Sequence, residues 1–358
     1  MALPFFDSGA RKKRDHMVAI DLGGRTTKAV FLQRREGRYA LNRYALLDAP
    51  IYEKSLSVEL LTEHLTAVAQ ALDAKGKLTS IAVGVNQSIM RHVEMPRMPV
   101  DDMRLVLKNN SRNYLQEDLT NYVFDCFLVA QRPAHVAGEA AKAAALNPKQ
   151  KVLVAGARKQ MVEDFQAATK AAGLVSDHIV PALLGPVNAF EAAMPEVFSR
   201  SVVALVDIGF QHTSIAIVAE GELVLSRVVA IGGDRFTAGL AESMGISYAE
   251  AESIKVGMAD EVQLALETLL TPLGRELRAS IDFFEHHQDR PILQVYVCGG
   301  SAKSEFILQC LQNELVVECK TWLPTTFLQL ALPPPQMAEI DQIAPQLTTA
   351  LGAGLAAL

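Results

Sequence analysis

The chain has 358 residues, half of them apolar, more than one hydrophobic core usually serves, so two domains are expected. Its 34 Lys and Arg against 40 Asp and Glu, a formal net charge of -6, leave no global basic field and argue against nucleic acid as a partner. Cys126, Cys298, Cys310 and Cys319 lack C-x-x-C spacing, three of them sit within apolar segments where cysteine acts as a small hydrophobe, the usage reads as a reducing cytoplasm, and no apolar run reaches the roughly 20 residues that span a bilayer.

In chain order, Leu3-Pro4-Phe5-Phe6 and the basic run Arg11-Lys12-Lys13-Arg14 read as a disordered flank rather than a secretory leader, because the apolar stretch that follows meets Asp21 almost at once. Val18 to Ile20 predicts a buried strand that ends at Asp21, turns through Gly23-Gly24 and returns as Ala29 to Leu32. Tyr39 to Leu47 alternates as a third strand, Val58 to Leu72 has helical spacing and stops at Lys75-Gly76-Lys77, and Ile81 to Val85 is a buried strand. Pro96 and Pro99 forbid a central strand through His92 to Pro99. Asp101 or Asp102 is the expected cap of a helix to about Leu115, followed by strands at Tyr122 to Val129 and Lys151 to Ala155, with a loop-like insertion between them at Pro133 to Gln150. Lys159 to Ala172 predicts an amphipathic helix stopped by Gly173, and Ile179 to Phe190 a helix behind Pro181.

The second half repeats the opening. Val202 to Val206 ends at Asp207, turns through Gly209 and returns as Ile215 to Val218; Leu223 to Ile231 leads to Gly232-Gly233-Asp234. A long helical stretch from Arg235 to Glu285 breaks near Gly245 and Gly257, and Ile292 to Val297 runs into Cys298-Gly299-Gly300-Ser301. Pro333-Pro334-Pro335 reads as a surface loop, and Gln346 to Leu358 as an apolar helix in which Gly352 and Gly354 permit close packing.

Phosphates need close backbone N–H donors, and glycine permits the positive φ and near approach that aim them, so Gly23, Gly24 and Gly209 are candidates. Thr26, Thr27, Thr213 and Ser214 offer hydroxyls, Gln211 an amide, and Lys28 or Arg25 a positive charge. Asp21 and Asp207, one from each half, suit a Mg²⁺ held through its waters. Glu252 and Lys255, at i and i+3 on one helix face, read either as contacts to ribose or base, or as an exposed ion pair. A single D-x-G hairpin is usually only a turn; its repetition, together with two glycine pairs at strand ends, is what suggests a nucleotide between two related halves. No P-loop, complete G-x-G-x-x-G or G-x-S-x-G motif is present, and the histidines form no zinc pattern.

Asp21-x-Gly23-x-x-Thr26-x-Lys28, Asp207-x-Gly209, Gly232-Gly233-Asp234, Ala251-Glu252-x-x-Lys255 and Gly299-Gly300-Ser301, in this order, resemble the nucleotide motifs of the actin-like ATPase superfamily. With Arg91-x-x-Glu94-Met95-Pro96-x-Met98-Pro99, Lys151-Val152-Leu153-Val154-Ala155 and Ala172-Gly173-Leu174, the chain is most similar to the PilM group, which is close to the division protein FtsA. The resemblance implies an α/β, ribonuclease H-like duplicated, actin-like two-domain fold with a nucleotide cleft. The expected division is a flexible segment 1–16, a first domain from 17–89 and 173–199 with an inserted subdomain 90–172, and a second domain from 200–232 and 292–358 with a subdomain 233–291. It implies ATP and Mg²⁺ as ligands and a cytoplasmic adaptor at the inner-membrane platform of a type IV pilus or related secretion system. The partner would be the N-terminal cytoplasmic peptide of a PilN-like membrane protein, held in a groove of the first domain. The segment Asn109 to Asp118 departs from the family pattern, so the groove residues are not assignable from the resemblance. Asn188 is the nearest match to the residue that positions attacking water and is shorter than the usual Gln, which implies slow hydrolysis or none. Two other readings share the motifs. A small-molecule kinase lacks its substrate base here, and an FtsA-like filament former would carry a basic amphipathic C-terminal helix that Gln346 to Leu358 does not provide.

Overall fold

The two Asp-Gly turns are tips of antiparallel hairpins in a computed structural model that describes residues 14–51, 56–129, 149–257 and 262–358. β1 (His16–Leu22) pairs with β2 (Thr26–Arg35), and β2 with β3 (Arg38–Asp48). β4 (Leu78–Val83) joins β1 in parallel, β8 (Val175–Pro181) joins β4, and the short β14 (Gln329–Leu330) joins β3. The six-stranded sheet therefore runs β14-β3-β2-β1-β4-β8, with β8 at its edge. The second sheet repeats the scheme as β11-β10-β9-β12-β13, built from β9 (Val202–Ile208), β10 (Thr213–Ala219), β11 (Glu222–Val229), β12 (Gln294–Cys298) and β13 (Cys319–Thr321).

A third sheet, β5-β7-β6, interrupts the first half and consists of β5 (Ser88–Pro96), β6 (Tyr122–Leu128) and β7 (Lys149–Arg158). β5 is an edge strand that ends at Pro96, which is how a sheet accommodates a residue without an N–H.

Period-two alternation decides which side chains enter which layer. Val202, Ala204 and Val206 face α6 (Gly233–Met244), α8 (Gln263–Gln288) and α9 (Glu305–Leu315), while Val203 and Leu205 face α4 (Leu184–Ala193) on the other side. In the first sheet Val18 and Ile20 meet α1 (Val58–Ala71) and α3 (Lys159–Ala171), whereas Ala19, Val30 and Leu32 meet α10 (Pro334–Leu355). Ser57 caps α1, its Oγ accepting from Leu60 N–H at 3.2 Å.

α4 and α10 form the seam between the halves. A Cβ on Gly352 would run into the carbonyl oxygen of Gly185, and one on Gly185 would lie 2.6 Å from the Thr349 Cα, so these backbones touch as closely as backbones can.

Three expectations change. Pro334 and Pro335 open α10 rather than forming a loop, since the first helical N–H groups have no intrahelical acceptor to lose. Ile179 to Pro181 belongs to β8, and the helix begins only at Leu184. Asp101 and Asp102 lie inside the first turn of α2 (Val100–Leu115), whose cap position is Pro99, so they act on the helix dipole instead of capping. The leading segment through Lys13 and most of the stretch from Pro133 lie outside the described residues.

Candidate functional site

The two hairpins carry their polar residues in the same register. Asp21 sits opposite Lys28, and Asp207 opposite Ser214; one step nearer each tip, Leu22 faces Thr27 and Ile208 faces Thr213. Alternation therefore puts Lys28 and Ser214 beside the aspartates and sends Thr27 and Thr213 to the opposite faces. Thr27 is fully buried and hydrogen-bonded to His64 Nε2 at 2.7 Å, with burial lowering the imidazole pKa; Thr213 Oγ1 donates to Ile231 O at 2.7 Å. These two hydroxyls anchor the hairpins and do not line the cleft. Thr26 lies at the first tip, its carbonyl oxygen 2.6 Å from where a Cβ on Gly23 would be.

The aspartates form a strained electrostatic pair. Lys28 Nζ lies 3.4 Å from Asp21 Oδ2, and Thr349 Oγ1 of α10 donates to Asp207 Oδ2 at 3.2 Å. Asp207 is pushed up to about 6 by burial and by the negative charge of Asp21, with Lys28 and Thr349 only partly offsetting. Two carboxylates with one ammonium, paired to Asp21, are a donor set that a divalent cation relieves. Among the described residues no third His, Cys, Asp or Glu gathers there, so a hydrated Mg²⁺ completed by phosphate oxygens fits better than an all-protein cage.

The glycines work through closeness more than through φ. Only Gly299 of the candidate set has a positive φ, +94°, and a Cβ there would sit 2.5 Å from Asp207 Oδ1. Gly209 N–H donates to His212 O at 3.0 Å and Gly233 N–H to Gly209 O at 2.9 Å, so both amides are engaged inside the protein. A Cβ on Gly232 would hit Phe210 O, whereas at Gly300 it would meet nothing among the described residues within 4 Å. Ser301 is buried, its Oγ 2.7 Å from a Cβ placed on Gly233. Asp234 N–H donates to Phe210 O at 2.9 Å, tying the start of α6 to the second hairpin tip.

Glu252 and Lys255 lie on α7 (Tyr248–Gly257), and they are not an exposed pair. Lys255 is 2 % exposed, and its Nζ donates to Glu252 Oε2 and to Thr237 Oγ1, both at 2.8 Å. Burial lowers Lys255, with Glu252 opposing; for Glu252 burial acts upward, but Lys255, Thr237 and Arg25 carry the net shift downward. Arg25 does not lie over Gly23 but reaches across to the second half, its Nη1 3.6 Å from Glu252 Oε2. A Cβ on Gly24 would lie 3.5 Å from Phe210 Cδ1 and 3.7 Å from Gln211 Oε1, so the two tips meet.

Asn188 is buried on α4 and turned toward α10, where its Nδ2 donates to Gly352 O at 3.4 Å and its Oδ1 has no partner among the described residues. Thr349, Thr237, Tyr248 and, within the second tip, Phe210 also border this arrangement. Thr349, Thr237 and Tyr248 carry no motif, and only the packing of distant segments brings them in.

Away from the cleft, a cavity of about 230 Å³ lies between the first and third sheets. Val83, Val123, Ala155, Val162 and Ile179 line it, with Asp177 and His178 at its polar side. Arg14 Nε lies 2.6 Å from Asp177 Oδ2, and His178 Nδ1 is 2.9 Å from the same oxygen.

The family of type IV pilus assembly proteins PilM matches residues 19–357. The chain belongs to this family. Among solved structures, a PilM-PilN type IV pilus biogenesis complex is 22% identical, covers 95% of this chain and 98% of its own, and superposes with a TM-score of 0.80. The ethanolamine utilization protein EutJ from Carboxydothermus hydrogenoformans is 17% identical over 96% of this chain and 90% of its own, with a TM-score of 0.55. An MreB protein of Spiroplasma citri bound to AMPPNP is 10% identical over 97% and 95%, with a TM-score of 0.50. The fold of this PilM-family chain is therefore actin-like. No helix among the described residues is long and apolar enough to cross a membrane.

Proposed function

We propose that this chain is an ATP-binding adaptor of a type IV pilus assembly platform, recruited to the cytoplasmic face of the inner membrane by the N-terminal peptide of a PilN-like membrane protein. The observation that carries the reading is the family match over residues 19–357. The solved PilM-PilN complex supports the partner, and the AMPPNP-bound MreB structure supports a nucleotide in the cleft. Asp21 and Asp207 would hold Mg²⁺ through water, which would supply charge neutralisation between the phosphates and the two carboxylates. Lys28, Gly300 and Ser301 would border the nucleotide, with Glu252 facing its sugar. With Asn188 directed into the seam, binding rather than rapid turnover is the expected role of the nucleotide.

For the peptide we favour the cavity beside β8. An edge strand offers unpaired backbone groups to an extended segment, and the apolar lining suits its side chains. β8 leads directly into α4, and α4 packs on α10, which holds Asp207 through Thr349. Cleft and cavity thus share one continuous set of contacts through which nucleotide can change peptide affinity.

The test is calorimetric titration with a synthetic N-terminal peptide of the PilN-like protein, using wild type and Val162→Trp, which fills the cavity from the α3 side. Saturable binding lost in the variant supports the reading. Equal binding by both would move the groove elsewhere, and no binding by wild type would remove the adaptor role.

A further inference from the structure

One end of the first sheet is basic in a chain whose formal net charge is -6. β1, β4 and β8 run parallel, so their first residues share this end, and antiparallel pairing brings the end of β2 and the start of β3 to it. Arg35 and Arg38 stand directly opposite each other there, across a turn in which Glu36 and Gly37 both have positive φ, +51° and +80°. Like charges facing each other across a ladder weaken it, so the hairpin gains nothing from this pair. Lys75 and Lys77 precede β4, and Lys170 lies in the last turn of α3, just before β8. Gly76 N–H donates to Gly173 O at 2.7 Å and a Cβ on Gly173 would lie 3.7 Å from Lys75 Cγ, which keeps these segments together. Arg35, Arg38, Lys75 and Lys170 are exposed, and their side chains make no ion pair or hydrogen bond among the described residues. Of the carboxylates at this end, Asp177 is held by Arg14 at 2.6 Å and Asp73 lies 3.8 Å from Arg43, which leaves Asp15 and Glu36. The run Arg11-Lys12-Lys13, outside the described residues, directly precedes Arg14 in the sequence.

We propose that this end of the first sheet is a docking surface for anionic lipid headgroups, which turns the adaptor so that the cavity beside β8 opens toward the membrane. The inference rests on the adaptor reading, which supplies the membrane. Asp177 and His178, on the polar side of the cavity, lie in the first half of β8, so a segment leaving the cavity at this end emerges beside the cations. The N-terminal peptide of a membrane protein leads back to its bilayer, and headgroup phosphates accept the hydrogen bonds that Arg35, Arg38, Lys75 and Lys170 do not make within the protein. A cation near an anionic surface strengthens partitioning about fivefold. The net negative charge of the whole chain opposes adsorption by other faces, so attraction at one end orients the molecule. The candidate cleft lies at the opposite end of the same strands: at about 3.3 Å per residue, β2 carries the chain roughly 30 Å from Thr26 to Arg35. That is beyond the screening length of about 10 Å at 0.1 M salt, so headgroup charge acts on this end and not on the cleft.

The experiment is co-sedimentation of the full chain with vesicles of pure phosphatidylcholine, or of phosphatidylcholine with about 30% phosphatidylglycerol, at about 0.1 M and about 1 M salt. The wild type is expected to pellet with the anionic vesicles at low salt and with neither kind at high salt. Arg35→Gln/Arg38→Gln/Lys75→Gln should lower the partition coefficient about a hundredfold, at about fivefold for each cation. The same loss of charge at exposed positions elsewhere, Lys108→Gln/Lys159→Gln/Arg275→Gln, should change it no more than about twofold. No binding of anionic vesicles by the wild type, an unchanged partition in the first triple variant, or equal losses in both would overturn the proposal. Calorimetric titration with the PilN-like peptide separates it from the reading on which it rests. The first triple variant is expected to keep wild-type peptide affinity. A wild type that binds the peptide but not the vesicles removes only the docking surface, whereas one that binds no peptide removes the adaptor reading, and this inference with it.

Discussion

Asp207→Asn is expected to stabilise the ligand-free protein while removing its ability to hold a hydrated cation. The wild-type carboxyl is pushed up to about 6 in the folded protein, whereas an unfolded chain leaves it near the ordinary aspartate value of about 3.9. The folded state therefore binds this proton more tightly, and stability declines as pH rises from about 4 to about 6, then levels. A difference of about two pH units corresponds to at most ~3 kcal/mol above pH 6. Partial exposure of Asp207 and relaxation around it reduce this to ~1–2 kcal/mol. Asparagine has the same shape, keeps an oxygen for the Thr349 hydroxyl and carries no charge toward Asp21. Urea unfolding of both proteins without nucleotide, at pH 7.5, 5 and 4, measures the difference. The variant should be the more stable at pH 7.5, and its advantage should shrink toward zero as the pH falls to 4. An Asn variant less stable than wild type at pH 7.5, or an advantage independent of pH, would refute the proposed repulsion between the aspartates.

Three further outcomes follow from the packing. Gly352→Ala forces a methyl group into Gly185 O and should cost at least ~2–3 kcal/mol in denaturant unfolding, while Gly257→Ala, with nothing among the described residues within 4 Å of its Cβ, should change little. Thr27→Val should lose ~1 kcal/mol with its His64 hydrogen bond yet leave nucleotide affinity unchanged, because that side chain faces away from the cleft; weaker nucleotide binding at unchanged stability would contradict this orientation. Lys255→Met strands the Glu252 carboxylate and should destabilise by ~1–2 kcal/mol, with Lys255→Met/Glu252→Leu recovering most of the loss; an additive double-mutant cycle would argue against the pair.

What the sequence made legible were features set by local chemistry. The hairpins at Asp21 and Asp207 were readable because apolar alternation, an Asp and a Gly recur in one order, and the stops at Gly173 and Gly245 because a left-handed residue ends each helix. The phase of the strands across the tips was not. Thr27 and Lys28 are neighbours with similar polar promise, and only the count of residues in the turn decides which enters the core. Gly23, Gly24 and Gly209 do not adopt the positive φ that glycine permits; Gly23, Gly209, Gly232 and Gly233 are required instead by proximity to another backbone or side chain, a property invisible before folding. Arg25 reads as a phosphate cation from its place beside Gly24; its contact with Tyr248, 223 residues away, appears only when the halves close. Pro334 and Pro335 misled because a proline cluster breaks a helix interior but is tolerated in a first turn.

The central claim is that the paired hairpins form one nucleotide site. Calorimetric titration of the purified protein with Mg-ATP, run beside Asp207→Ala, tests it most directly. The account predicts saturable binding at one site per chain in the wild type and none in the variant; identical binding by both proteins, or none by the wild type, would contradict it.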